Sequence, residues 1–98
     1  MYEIQTSEIF EKKFEKLIPK NKQEDIKARI RKLSDNPYVG KPLRYDFVRE
    51  LKLDKFRIYF IIYKKRVVVF LVNISDKKTQ ATVINLIIDK YIKNLNLD

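Results

Sequence analysis

The sequence predicts an α+β domain of order βααβββα: an antiparallel sheet with an N-terminal strand, a helical hairpin and a C-terminal helix. Three observations predict it. Apolar residues recur at helical spacing, with one interruption, from Phe10 to Leu33. Residues 47 to 74 then turn to alternation and to runs rich in Val, Ile, Phe and Tyr, and from about Asp76 helical spacing returns in its most regular form.

The first strand is short, with Tyr2, Ile4 and Thr6 alternating against Glu3 and Gln5 before Thr6 or Ser7 caps a helix. Phe10, Phe14, Leu17 and Ile18 form the buried stripe of that helix, which Pro19, Lys20 and Asn21 interrupt. Asn21, with Glu24 three residues on, reads as a capping box for a second helix that buries Ile26, Ile30 and Leu33 and stops at Asn36-Pro37. Two of the three prolines and the only glycine lie in residues 36 to 42, where helical periodicity is lost.

Three strands in a meander follow. In the first, Phe47, Arg49, Leu51 and Leu53 alternate with Val48, Glu50 and Lys52; the second covers residues 56 to 63 and the third 67 to 74. The second strand is apolar on both sides, with Phe56, Ile58, Phe60 and Ile62 on one and Tyr59, Ile61 and Tyr63 on the other, so both faces of the sheet need cover. The helical hairpin covers one. The other is left to the C-terminal helix, a partner or an open cleft with aromatic walls. Ser75 or Asp76 caps that last helix, whose stripe is Ile84, Ile87, Ile88, Tyr91, Ile92 and Leu95.

With 98 residues and no repeat or linker, residues 1–98 read as one domain. The absence of cysteine and histidine removes disulfides, thiolate chemistry, histidine bases and imidazole metal sites, and no cofactor is expected. A formal charge of +9 favours a nucleic-acid, ribosomal or acidic-protein partner. No run reaches the roughly 18 apolar residues that would span a bilayer, so the reading is a cytoplasmic protein with no membrane partner.

A two-residue turn at Asp54-Lys55 pairs Leu53 with Phe56, Lys52 with Arg57, Leu51 with Ile58 and Glu50 with Tyr59. Lys52 then faces Arg57, and like charges opposed on paired strands repel. A bridging phosphate would relieve that repulsion; a diagonal ion pair between Glu50 and Arg57 is the competing reading.

The element order, the segment Asn36-Pro-Tyr-Val-Gly-Lys-Pro-Leu-Arg44 and the string Glu50-Leu-Lys-Leu-Asp-Lys-Phe-Arg-Ile-Tyr59 resemble the RelE/ParE toxin superfamily, as does the strand Val67-Val-Val-Phe-Leu-Val72 followed by a basic pair. The resemblance implies the toxin of a type II toxin-antitoxin system. On the RelE branch it is a ribosome-dependent mRNA endoribonuclease that inhibits translation, with the ribosome, mRNA and a cognate acidic antitoxin as partners. The alternatives are a non-enzymatic ParE-like inhibitor of DNA gyrase and a degenerate member that acts only through its antitoxin complex.

On the ribonuclease reading Arg44, Lys52 and Arg57 match catalytic positions of the family, with Lys52 as base and the two arginines clamping phosphate. Lys41, Arg44, Lys52, Lys55, Lys77 and Lys78 are the RNA-binding candidates. Three positions depart from the family pattern. Glu50 stands where a second strand lysine is expected, Lys77 or Lys78 replaces an arginine after the last strand, and Val83 lies near the place of the last helix's tyrosine. Glu50 and Tyr91, the latter two turns further on, are the candidate acids. The antitoxin is expected to cover Tyr59, Ile61, Val68 and Phe70 beside the last helix near Tyr91.

Overall fold

The computed structural model describes residues 1–93. Strand β1 (Glu3–Thr6) leads into helix α1 (Glu8–Leu17), with Ser7 as the cap between them. The Ser7 hydroxyl oxygen accepts from the Phe10 N–H at 3.0 Å and donates to the Val72 carbonyl at 2.9 Å, so one residue both starts the helix and ties it to the sheet. Phe10, Phe14 and Ile18 are buried as expected, whereas Leu17 is exposed. The chain turns extended at Ile18, and that residue, not Leu17, completes the buried stripe.

Helix α2 (Lys20–Arg31) begins directly after Pro19, and no side chain caps it. The capping box expected at Asn21 and Glu24 is therefore not formed. Proline presets its own φ for a helix start and has no N–H to satisfy, and the corner is closed instead by Gln23, whose amide donates to the Ile18 carbonyl at 3.0 Å. A 3-10 turn (Lys32–Ser34) ends the hairpin, and a second (Pro37–Val39) is capped by Asn36, whose side chain accepts from the Tyr38 N–H.

Strands β2 (Lys41–Pro42), β3 (Val48–Leu53), β4 (Phe56–Tyr63) and β5 (Val68–Ser75) complete a five-stranded sheet of order β1-β5-β4-β3-β2. The three-stranded meander and its β3–β4 register are those the sequence predicts. Asp54 enters the left-handed region (φ 59°), as the first position of a tight hairpin turn of this kind requires, and Lys22 of α2 pairs with its carboxylate.

The sheet is mixed, however, and not antiparallel throughout, because β1 runs parallel to β5. Alternation places Ile4 against the hairpin core, but it fixes a face and not a direction. No tight turn joins β1 to β5 to force antiparallel pairing. The two-residue strand β2 has no hydrophobic pattern to announce it. It forms an edge, where Pro42 costs no ladder bond.

The sheet separates two cores. On one face α1 and α2 pack Phe10, Phe14, Ile18, Ile26 and Ile30 against Phe56, Ile58, Phe60 and Leu71. On the other, helix α3 (Gln80–Ile87), continued by a π-helical turn (Ile88–Ile92), packs Val83, Ile87, Ile88 and Ile92 on Val48, Tyr59, Ile61 and Val72. A bulge at Val72, where Tyr59 pairs with Asn73 while Phe60 pairs with Leu71, shifts the alternation so that Ile74 joins the hairpin core and Ser75 pairs with Arg57. Of the predicted stripe, Leu95 lies outside the described residues. Asp76 shapes the turn before α3, accepting from the N–H and hydroxyl of Thr79, while Ser75 is buried and caps nothing. Among the described residues no helix is long and apolar enough to cross a membrane.

Helix α3 also decides what the second face can present. Tyr59 and Ile61 are fully buried beneath it, so the open aromatic cleft expected there is closed; Val68 and Phe70 remain partly exposed. An antitoxin resting on α3 as it stands would not touch Tyr59 or Ile61.

Candidate functional site

The pleat sets Lys41, Glu50 and Tyr59 in one row on the α3 face, and Lys52, Arg57 and Ser75 in the next. Lys52 is exposed at the hairpin end, while Arg57 opposite it is buried to 9 % relative exposure. The repulsion expected between them is answered in part by the chain itself. Glu50, also buried, places Oε1 4.0 Å from Arg57 Nε. This is an ion pair too long for a hydrogen bond, and Arg57 Nε has no hydrogen-bond partner among the described residues. The second carboxylate oxygen of Glu50 is engaged from α3, accepting from the Gln80 amide at 2.8 Å. Both readings of the hairpin therefore meet at one place: the diagonal pair exists, and the guanidinium keeps an unused buried donor.

Behind this pair the Tyr59 hydroxyl bonds Ser75 Oγ at 2.7 Å. Burial pushes the Tyr59 phenol up to about 12, and the Glu50 carboxylate adds to that shift while Ser75 and Arg57 oppose it. The hydroxyl keeps its proton at neutral pH, a neutral neighbour for the charged pair.

Lys41 on β2 pairs with Glu50 of β3 and is exposed, which brings a second cation to the same edge. Lys55 sits in the β3–β4 turn, its ammonium 5.6 Å from the Phe56 ring centre, and leans toward the hairpin core. Lys77 and Lys78 are exposed in the turn that leads to α3.

Arg44 is not brought to Arg57. It lies in the loop between β2 and β3, and its Nη2 donates to Asn85 of α3 at 3.3 Å. A clamp of one phosphate by both arginines, as the resemblance implied, is not formed in this arrangement. Tyr91 is not brought there either. Its ring packs edge-on against Phe70, which pairs with Ile61 four residues along β4 from Arg57. Of the two candidate acids only Glu50 is at the hairpin.

Sequence reasoning missed Gln80 and the hydrogen-bonding role of Ser75. Both act across elements, and nothing in local spacing marks which residue of α3 will reach β3. It also missed what Arg49 does. This buried arginine donates to the Asp46 carbonyl (2.8 Å), the Asp46 carboxylate (2.7 Å) and the carbonyls of Tyr38 (3.1 Å) and Gly40 (2.8 Å), and so holds the loop before β3 against the sheet. A Cβ on Gly40 would stand 2.8 Å from the Phe60 ring, a close approach that only glycine permits.

No family model matches the sequence, and no curated protein matches it. Solved structures do. The isolated E. coli RelE toxin is similar over 88% of this chain and 99% of its own, at 16% identity and a TM-score of 0.67. A chain of the intact E. coli RelBE toxin-antitoxin complex is similar over 78% and 96%, at 18% identity and a TM-score of 0.67. One from the Mycobacterium tuberculosis complex RelBE2 is similar over 78% and 98%, at 20% identity and a TM-score of 0.64. At such identities the likeness is one of backbone, and it is nearly complete on the other side of each comparison: this chain has the RelE toxin fold.

Proposed function

We propose that this protein is the toxin of a type II toxin-antitoxin pair and that it cuts messenger RNA during translation. The observation that carries the reading is the hairpin of β3 and β4, where exposed Lys52 faces Arg57, whose Nε is buried and unused. A phosphodiester oxygen would satisfy that donor and offset the facing charges. The likeness to chains of toxin-antitoxin complexes supports a partner that neutralises the protein. A net charge of +9 suits both an acidic antitoxin and RNA.

In the proposed reaction Lys52 takes the proton of a ribose 2′-hydroxyl, the 2′-oxygen attacks the adjacent phosphorus, and the bond to the 5′-oxygen breaks. Arg57 stabilises the charge that gathers on the phosphoryl oxygens. The products are a 2′,3′-cyclic phosphate and a 5′-hydroxyl, which needs one proton for the leaving oxygen. Glu50 is the candidate at the hairpin to supply it. So few groups give little positioning of their own, and the ribosome would supply it.

Induction of the protein in cells, with primer extension on translated and untranslated messages, tests the reading. Cuts confined to translated messages are expected. Intact messages with loss of DNA supercoiling would replace it with gyrase inhibition.

The contact between Glu50 and Arg57 favours a second reading, a member that binds its antitoxin but no longer cuts, because an internal carboxylate competes with the substrate phosphate. Glu50→Gln separates the roles. Cutting should rise if Glu50 only competes and fall at least tenfold if it is the acid; a protein silent in both forms supports the binding-only reading.

A further inference from the structure

A cleft of about 430 Å³ opens at the other end of β4, between the loop before β3 and the β4–β5 turn. Its position, six residues along β4 from Arg57, is roughly 20 Å from the hairpin site. Tyr38, Phe47 and Tyr63 line it, and Lys64, Lys65 and Arg66 form its rim. Rings in the wall and three consecutive cations at the mouth are the two components of a single-strand nucleic-acid site, where bases stack and phosphates are drawn in.

Three further observations favour a ligand here. The acid of the cleft, Asp46, is already paired with Arg49 at 2.7 Å, while none of Lys64, Lys65 and Arg66 pairs with a carboxylate among the described residues. Arg66 lies 6.0 Å from the Tyr63 ring centre, and the charge of all three cations is left without a counter-ion among the described residues. The wall is fixed, because Arg49 stacks 5.0 Å from the Tyr38 ring centre and bonds the Tyr38 carbonyl. The turn that carries the cations is strained, since Val67 holds φ at 56°, a conformation that β-branched residues rarely adopt and that tends to persist where function requires it.

We propose that this cleft holds one unpaired base of a single-stranded RNA, with the neighbouring phosphates on Lys64, Lys65 and Arg66. The choice of RNA over DNA rests on the proposed function; the site itself does not. A duplex keeps its bases stacked and could not enter. An acidic peptide would meet the cations but has no use for three rings.

The test uses the full chain carrying Lys52→Ala, an exposed substitution that keeps RNA from being cut. Amide shifts are followed on titration with hexa-adenylate, with an RNA duplex and with an acidic peptide of equal charge, all at one salt concentration. Hexa-adenylate should move residues 63 to 67 and Tyr38, and should bind more tightly than duplex or peptide. Tyr38→Leu should weaken it by on the order of tenfold, the worth of one stacked base. Should that variant unfold, the exposed pair Lys65→Ser and Arg66→Ser decides, with a similar loss expected and a reduced salt dependence. Shifts absent from residues 63 to 67, equal affinity for duplex or peptide, or variants that bind like the parent would overturn the proposal. A protein that never cuts messages yet binds here leaves it standing, and one that cuts while the cleft stays silent refutes it alone.

Discussion

Arg49 and Arg57 are buried arginines on neighbouring strands, and they differ in what they hold. Arg49 makes four hydrogen bonds and stacks on a tyrosine, so its guanidinium is consumed in fastening the loop before β3. Arg57 makes none among the described residues and has only a carboxylate at 4.0 Å. An arginine with four of its five donors used is a structural fastening. One whose buried donor is idle bears the cost of desolvation without full compensation, and such an imbalance is what a bound anion would correct. On the α3 face Glu50, Arg57, Tyr59 and Ser75 are all buried among aliphatic residues.

The contrast can be broken most sharply at Arg49. Arg49→Ala should cost on the order of 3–4 kcal/mol, because it strands the carbonyls of Tyr38 and Gly40 as well as losing charged hydrogen bonds. Chemical denaturation would show it, and a loss under about 1 kcal/mol would deny Arg49 its fastening role. Arg57→Ala should cost less, about 1–2 kcal/mol. A tight buried pair costs about 3–5 kcal/mol to break, but this one is long and makes no hydrogen bond through Arg57 Nε. Toxicity should vanish in a variant that still folds. The structure buries Arg57 next to Glu50, the diagonal pair that the sequence offers as the competing reading.

Tyr59→Phe sharpens the comparison from the pH side and should cost about 1 kcal/mol for the lost bond to Ser75. The Tyr59 pKa is raised from 10.0 to about 12, so its contribution to stability is fully present below pH 10 and is lost as pH rises through 12. Alkaline titration followed by circular dichroism should show a steeper decline in the parent than in the variant over that window. Parallel declines would place the alkaline sensitivity elsewhere.

The hairpin was the most legible part of the chain, because a two-residue turn and strict alternation leave a single register that turns Leu51 and Leu53 to one face. Helix starts were less legible. Pro19 and Asn21 both offer a plausible beginning, and the choice falls to packing at the Ile18 corner. The direction of β1 was hidden, since its alternation is satisfied whether it runs parallel or antiparallel to β5. At the site, the facing pair Lys52 and Arg57 followed from register alone. Arg44 and Tyr91 did not join it, because family positions matched along a sequence say nothing of how far apart two ends of a sheet lie.

The central claim is that Arg57, and not Arg49, is poised for a phosphate. Side-chain Nε–H resonances of the two arginines, followed while a short single-stranded RNA is added to the Lys52→Ala protein, test it directly. The Arg57 resonance should move with saturation while that of Arg49 stays in place. Movement of Arg49 with Arg57 unchanged, or no response from Arg57 at RNA concentrations that saturate binding elsewhere on the protein, would contradict it.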